Sequence, residues 1–368
     1  MSRSSLRTLA VAAGAVGAAA VAGAAAGVIV AGKRWAAADD PDAATRLTVP
    51  EGTDIRVPAA DGGEIAGTLA GGSAARQPHP NTFILIHGWT NDRRIWAPVA
   101  RSLVEQGHLV VLYDQRGHGS SRAGTDGLTL EALGADLASV LEHVDARGAV
   151  VAGHSMGGMA AQAFAIGHPD VLAERVAAIA LVSTACGDLA VRGVARALAP
   201  GVLGSARVSR LVSHPRLGPF FVRGAMGPNA TLTNLRAMQD TFAATEPAVR
   251  AAFYGAMASM DLREGLAGVD VPVLVVSGTR DQLVAHANSR RLADIVEGAR
   301  FEAVAGAGHM LPLERPELLA ELLEGLASAS VSPASRCPPR LGSFRGVWPP
   351  PSPSTRACSR PTQTVRPA

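Results

Sequence analysis

Five residues, Gly153-His154-Ser155-Met156-Gly157, constrain this chain more than any other stretch. They have the form G-x-S-x-G, and their setting gives the form its weight. An apolar β-type run, Ala149–Ala152, leads in, and an apolar-periodic helical run, Met156–Ile166, leads out. Strand, sharp turn and helix in that order lift one serine hydroxyl above the end of a sheet on a strained turn. In a chain with 40 glycines the five letters alone carry little; the periodicity on both sides decides the reading.

A serine hydroxyl is a weak nucleophile until a base takes its proton. The base is usually a histidine oriented by a carboxylate, and after such an elbow the expected chain order is Ser, Asp or Glu, His. The apolar run Val273–Val276 leads through Ser277 to Gly278-Thr279-Arg280-Asp281, which puts Asp281 just past a strand end. A helical pattern, Ala287–Val296, and a short strand pattern, Arg300–Val304, then lead to Gly306-Ala307-Gly308-His309. Ser155, Asp281 and His309 therefore all fall on loops beyond the C-terminal ends of strands, where open α/β sheets place their ligands. Asp188, also past a strand, is the rival acid; Asp281 is preferred. His154 adjoins the serine and therefore points the other way. Upstream, Phe83–Ile86 runs into His87-Gly88-Trp89. The backbone N–H groups of Trp89 and Met156 are the candidate oxyanion donors, one from that loop and one from the residue after the serine.

The order and spacing of His87-Gly88-Trp89, Tyr113–Ser120, Gly153–Gly158, Gly278–Asp281 and Gly306–His309 resemble the α/β-hydrolase superfamily over about residues 53–326. The resemblance implies a mostly parallel sheet of about eight strands flanked by helices, with a helical lid inserted between two strands. It implies a serine nucleophile working through an acyl-enzyme. Relatives that open epoxides or remove halogens from alkanes carry an aspartate at the elbow, where this chain has Ser155. The epoxide enzymes also need two cap tyrosines, and only Tyr113 and Tyr254 are present here.

The residue pattern gives an architecture of its own. Asp54–Val57 and Glu64–Leu69, split by Asp61-Gly62-Gly63, read as a hairpin. Helical patterns at Arg94–Glu105 and Leu130–Val144 then alternate with strand patterns at Leu109–Tyr113 and Val176–Ser183. That alternation predicts a largely parallel sheet with helices on both faces. Asp114 and His118, in the loop after Leu109–Tyr113, read as loop supports. The alternation breaks over about residues 187–262, a helical lid pattern punctuated by Pro200, Pro215, Pro219 and Pro228. Its Leu211, Phe220, Phe221, Met226, Phe253 and Met257 together suggest an apolar substrate pocket.

The ends differ from the 41–328 hydrolase body. Residues 8–32 are 25 uncharged residues between Arg3, Arg7 and Lys33-Arg34, so residues 1–40 read as a membrane anchor or an export signal. Either places the protein at the membrane or in the cell envelope. Residues 329–368 hold nine prolines, six arginines and no acid, the composition of a disordered tail. Three cysteines form no even framework. No G-x-G-x-x-G opens a helix, and no H-E-x-x-H or Cys/His metal spacing occurs. Hence no cofactor, no metal and no nucleic-acid partner are expected.

The net charge of +3 hides a segregation. Residues 35–328 carry 24 basic against 31 acidic residues, yet within them residues 189–260 carry eight arginines against Asp240 and Glu246. A basic insert sits on an acidic body, which makes an anionic membrane surface a candidate partner. The function expected is a serine hydrolase cleaving carboxylic esters of apolar or lipid acyl groups. Carbon–carbon bond hydrolysis and cofactor-free haloperoxidase or perhydrolase chemistry are alternatives on the same triad, and a non-catalytic binding homologue is a remote one. The sequence does not set the oligomeric state.

Overall fold

The computed structural model describes residues 45–71, 81–189, 199–228 and 230–331, Val331 by backbone alone. The apolar N-terminal run and residues 332–368 of the Pro/Arg-rich tail lie outside the described residues, whereas residues 329–331, assigned to the tail by composition, finish the C-terminal helix. Among the described residues, no helix is long and apolar enough to cross a membrane.

A hairpin opens the fold. β1 (Gly52–Pro58) and β2 (Glu64–Gly71) pair antiparallel across a turn in which Gly62 takes φ +80°, a value a side chain would resist. Next come β3 (Thr82–Ile86), β4 (Leu109–Tyr113), β5 (Ala149–His154), β6 (Val176–Val182), β7 (Val273–Gly278) and β8 (Arg300–Val304). They assemble one eight-stranded sheet in the order β1-β2-β4-β3-β5-β6-β7-β8. β2 meets β4 antiparallel, and every pairing from β4 to β8 is parallel. Central parallel strands are buried on both faces, so continuous apolar runs such as LVVLY suit them.

Each pleat sends alternate side chains to opposite cores. Phe83 and Leu85 of β3 join one cluster with α1 (Ala97–Glu105) and the C-terminal helix. Ile84 and Ile86 join the other, with α2 (Leu130–His143) and α3 (Met156–Gly167). The helical pattern at Arg94–Glu105 resolves into a 3-10 turn, Arg93–Trp96, followed by α1. Pro98, near the start of α1, lacks the N–H that an internal helical turn needs, so the α-helix proper begins there.

After β5 and α3, α4 (Pro169–Arg175) leads into β6. Between β6 and β7 the described chain forms α5 (Ala206–Val212), α6 (Gly218–Arg223), α7 (Leu232–Ala244), α8 (Pro247–Ser259) and α9 (Arg263–Leu266). β6 and β7 are neighbours in the sheet, so this insertion leaves the sheet and returns beside its point of departure. α10 (His286–Ile295), α11 (Leu311–Glu314) and α12 (Pro316–Val331) complete the fold.

One buried ion network ties the hairpin to the helical layer. Arg116 grips Asp136 of α2 with two parallel bonds, Nε to Oδ2 and Nη2 to Oδ1, both 2.7 Å. Its Nη1 donates to Asp61 Oδ2 at 2.8 Å and to the Gly127 carbonyl at 3.0 Å. All three side chains are buried, and hydrogen bonds to both acids hold the guanidinium pKa above its ordinary value despite desolvation.

The insertion has an internal tie of a different kind. Arg250 on α8 is fully buried, and its guanidinium donates to the carbonyls of Leu203, Phe242 and Thr245 and to Ser209 Oγ. It also lies 4.7 Å from the centre of the Phe242 ring. Burial without a carboxylate lowers its pKa.

Candidate active site

β5 ends at His154 and α3 begins at Met156, so Ser155 is a single residue bridging strand and helix. Its φ of 53° and ψ of −117° lie in a region that side chains disfavour, at a cost of order 1–3 kcal/mol. Two glycines make the bend feasible. A Cβ on Gly153 would strike the Gly157 carbonyl, and one on Gly157 would strike the carbonyl oxygens of Ile86 and His87. The Ser155 N–H donates to the Val182 carbonyl of β6 at 2.8 Å, which fixes the turn to the sheet.

Asp281 follows β7 and is buried. Its Oδ1 accepts from the backbone N–H groups of Leu283 and Val284, both at 2.9 Å, which aims Oδ2 at His309 Nδ1, 2.8 Å away. An ionised carboxylate only accepts, so Nδ1 carries the proton and Nε2 is left as the basic nitrogen. Asp188 lies elsewhere, in contact with Arg263 at 3.0 Å and Arg291 at 3.4 Å.

His309 is held beside the elbow by its backbone. Its carbonyl accepts from His154 Nε2 at 2.9 Å, and the two imidazole centres lie 4.9 Å apart. His154 is wholly buried, and desolvation together with the nearby His309 holds its pKa well below the ordinary value. The His309 N–H donates to the Ala225 carbonyl of the insertion at 3.0 Å.

Sequence patterns did not single out Glu314. Its Oε2 accepts from Gly308 N–H and from Gly227 N–H of the insertion, each at 2.9 Å, while Oε1 accepts from Met310 N–H at 3.1 Å. One carboxylate therefore grips both chain neighbours of His309 and joins them to the insertion. The available signal was its place in a helical turn just after a glycine-rich loop whose N–H groups need acceptors.

The loop after β3 is braced by two neutral histidines. His87 donates from Nδ1 to the Gly88 carbonyl at 2.7 Å and accepts at Nε2 from Gln115 N–H at 2.9 Å. His118 Nε2 accepts from Thr90 N–H at 3.2 Å and fixes Thr90 at φ 58°. Burial lowers the His87 pKa to about 4 and the His118 pKa to about 3. Asp114 braces the following loop by accepting from Arg93 N–H and Ser120 N–H, each at 2.9 Å.

This bracing sets Gly88 against the elbow, where an added Cβ would stand 3.1 Å from Ser155 Cβ. Among the described residues, the backbone N–H groups of Trp89 and Met156 donate to no acceptor. Met156 opens α3, so its N–H belongs to the helix's unsatisfied first turn, at the positive end of the dipole.

The insertion covers this region with apolar side chains. Phe242 of α7 meets the Trp89 ring edge-on at 6.1 Å, and Tyr254 of α8 lies 6.2 Å from it. Val249, Phe253 and Met257 pack with Met156 and Met159 of α3. Met226 instead joins the core between the sheet and α12. Leu211 and Phe221, grouped with the pocket residues by sequence, lie at the surface, 40% and 52% exposed. The buried faces of α5 and α6 are taken by Val212, Pro219 and Val222 instead.

A family model described as the alpha/beta hydrolase fold matches residues 81–316. The chain belongs to that family. Among its relatives in this family is a non-heme chloroperoxidase from Kitasatospora aureofaciens, 29% identical over 258 residues, covering 66% of this chain and 91% of that protein. A bifunctional esterase/perhydrolase from Acinetobacter calcoaceticus is 26% identical over 244 residues, covering 63% and 86%. An esterase structure from Exiguobacterium antarcticum superposes with a TM-score of 0.65 at 19% identity, covering 75% of this chain and all of that one, which is a likeness of fold.

No cluster of His, Cys, Asp and Glu suited to a metal ion occurs among the described residues.

Proposed function

We propose that this member of the alpha/beta hydrolase family cleaves carboxylic esters of apolar acyl groups, with Ser155 as nucleophile, His309 as base and Asp281 as its orienting acid. The observation that carries the reading is the Asp281–His309 contact at 2.8 Å. That contact leaves Nε2 basic on a loop latched to the residue before the strained serine. In the first step Ser155 Oγ attacks the ester carbonyl and its proton passes to His309 Nε2. The oxyanion that forms is met by the N–H groups of Trp89 and Met156, and removal of one such donor in comparable sites costs roughly 3 kcal/mol of barrier. The C–O bond then breaks, and the alcohol leaves with the proton from His309. Water, deprotonated by His309, attacks the acyl-serine, and the acid departs as Ser155 regains its proton. Asp281 keeps the imidazole in the required tautomer and stabilises its cation.

The apolar side chains of Trp89, Phe242 and Tyr254 support an apolar acyl group. Two relatives favour a second outcome for the same acyl-serine, since one is named a chloroperoxidase and another an esterase/perhydrolase. Hydrogen peroxide in place of water would release a peracid from that intermediate. Turnover of p-nitrophenyl esters from C2 to C16, with and without peroxide and beside Ser155→Ala, tests both. Ester turnover abolished in the variant is the expected result. Wild-type turnover in Ser155→Ala would refute the assignment.

The apolar run at residues 8–32 is proposed as the segment that brings the enzyme to the membrane or envelope. Fractionation of the full chain against residues 41–368 tests it; equal partition into the soluble fraction would refute it.

A further inference from the structure

From Leu189 to Gln239 the chain contains no Asp or Glu and seven arginines. Two neighbouring helices in this stretch, α5 and α6, are built to show an unusual face. α5 turns Val212 inward, and α6 turns Pro219 and Val222 inward; both pack on α7. Arg207, Arg210 and Leu211 stand at helical spacings of three and four residues, so they share the outer face of α5. Leu217, the residue just before α6, and Phe221 within it are four residues apart and both exposed.

Exposure bears this out. Large hydrophobic side chains exposed among the described residues are Val202, Leu211, Leu217, Phe221 and Leu283. All but Leu283 fall within this one stretch. Scattered exposed apolar residues need no explanation, but a local concentration marks a surface that meets something.

The charges beside them are equally unpartnered. Elsewhere most exposed arginines find acids, as Arg56 does with Glu64, Arg94 with Asp92, Arg147 with Glu174 and Arg291 with Asp188; Arg280 and Arg300, which do not among the described residues, stand apart from any cluster of exposed apolar side chains. Arg207, Arg210 and Arg216 are exposed, and none pairs with a carboxylate among the described residues. Two signals together, apolar side chains to insert and cations to attract, hold a peripheral protein on an anionic bilayer where either alone is marginal.

We propose that the outer face of α5 and α6 docks on an anionic lipid surface, with Leu211, Leu217 and Phe221 entering the headgroup boundary and Arg207, Arg210 and Arg216 meeting phosphate groups. A soluble polyanion would satisfy the arginines and leave the apolar side chains in water, whereas lipid takes up both, which is why lipid is the better fit. The face lies one helix from the ester site, because α7 packs under it and carries Phe242 to Trp89. The proposal does not depend on the chemistry at Ser155.

The test is hydrogen–deuterium exchange of the full chain, read at residues 206–223. It is run with phosphatidylglycerol/phosphatidylcholine vesicles, phosphatidylcholine vesicles and soluble polyglutamate. Protection confined to the anionic vesicles is expected. Changing Arg207, Arg210 and Arg216 together to Gln should weaken that protection on the order of a hundredfold in lipid concentration, at about fivefold per cation. Leu217→Ser with Phe221→Ser should also remove it. Circular dichroism and turnover of a dissolved ester check that both variants remain folded. Vesicle binding without protection at 206–223 would assign the binding to the chain ends and overturn the proposal. Equal protection on neutral vesicles or on polyglutamate would overturn it as well.

Discussion

The sheet body and the helical insertion use arginine in opposite ways. In the body, Arg116 is buried between two carboxylates, and most surface arginines face an acid. In the insertion, Arg250 is buried on neutral oxygens, and Arg207, Arg210 and Arg216 face no acid among the described residues. Charge in the body is spent on fixing loops around the site. In the insertion Arg207, Arg210 and Arg216 are directed outward, and the buried Arg250 guanidinium fixes main-chain carbonyls and a hydroxyl instead of acids. The two regions meet at the His309 loop, where the Ala225 carbonyl of the insertion accepts from His309 N–H, and Glu314 accepts from both the loop and Gly227 N–H of the insertion.

Experiments that break one region while sparing the other sharpen this contrast. The largest effect belongs to the body. Asp281→Asn should lower kcat for ester turnover by about 10⁴ with the melting temperature little changed, because the tautomer is lost while the packing remains. Asp188→Asn should leave turnover near wild type, and a comparable loss there would move the acid assignment to Asp188.

Arg116→Leu strands Asp61 and Asp136 in the interior and should cost about 3–5 kcal/mol of global stability in urea unfolding. Arg250→Leu leaves three carbonyls short of donors at about 1–3 kcal/mol, with new proteolytic cuts confined to the insertion. Cuts spread over the sheet would show that the two regions unfold as one.

Acid should act on the body through His87 and His118. Unfolded histidine titrates near 6.5, whereas the folded groups titrate near 4 and 3. Between those values the unfolded chain binds protons that the folded chain refuses. These two groups therefore favour folding fully above pH 6.5. Their contribution falls as pH drops through 6.5 toward 4, by up to about 1.4 kcal/mol per pH unit for each. Urea midpoints from pH 7 to 4.5 read this slope, which should flatten in His118→Gln.

The smallest effect tests the junction. Glu314→Gln replaces one accepting oxygen with a donor and should lower kcat about tenfold, the scale of one charge-assisted hydrogen bond. KM for a short ester should move little. A change confined to KM would assign Glu314 to the insertion's pocket instead of to the histidine loop.

The body was the more legible region in the sequence. Runs such as FILI, LVVLY and VLVVSG are buried on both faces, so local composition and structure agree, and the loops after them follow from chain order. The boundaries of β4 and β8 match their sequence patterns to the residue. In the insertion, the exposure of Leu211 and Phe221 depends on which turn faces α7, information their own hydrophobicity does not contain. Phe242 and Tyr254 stand far along the chain from the Trp89 ring they meet and match no motif, so only the folded chain reveals them; Glu314 is close in sequence to Gly308 and Met310, but its bond to Gly227 of the insertion shows only in the fold. Asp281 is already preferred over Asp188 in the sequence; in the structure Asp281 contacts His309, while Asp188 contacts Arg263 and Arg291.

The segregation of charge has a consequence at distances beyond any contact. Residues 189–260 carry net positive charge, and the rest of residues 35–328 carries more acids than bases. Such a body is an electric dipole, and a dipole near a negatively charged wall feels a torque before it feels the wall itself. Within the roughly 8 Å reach of electrostatics at physiological salt, rotation would bring the insertion forward and turn the acidic remainder of the body away. A molecule that arrives already facing the right way needs fewer collisions to land, and raising the salt would slow its landing before it loosened its grip.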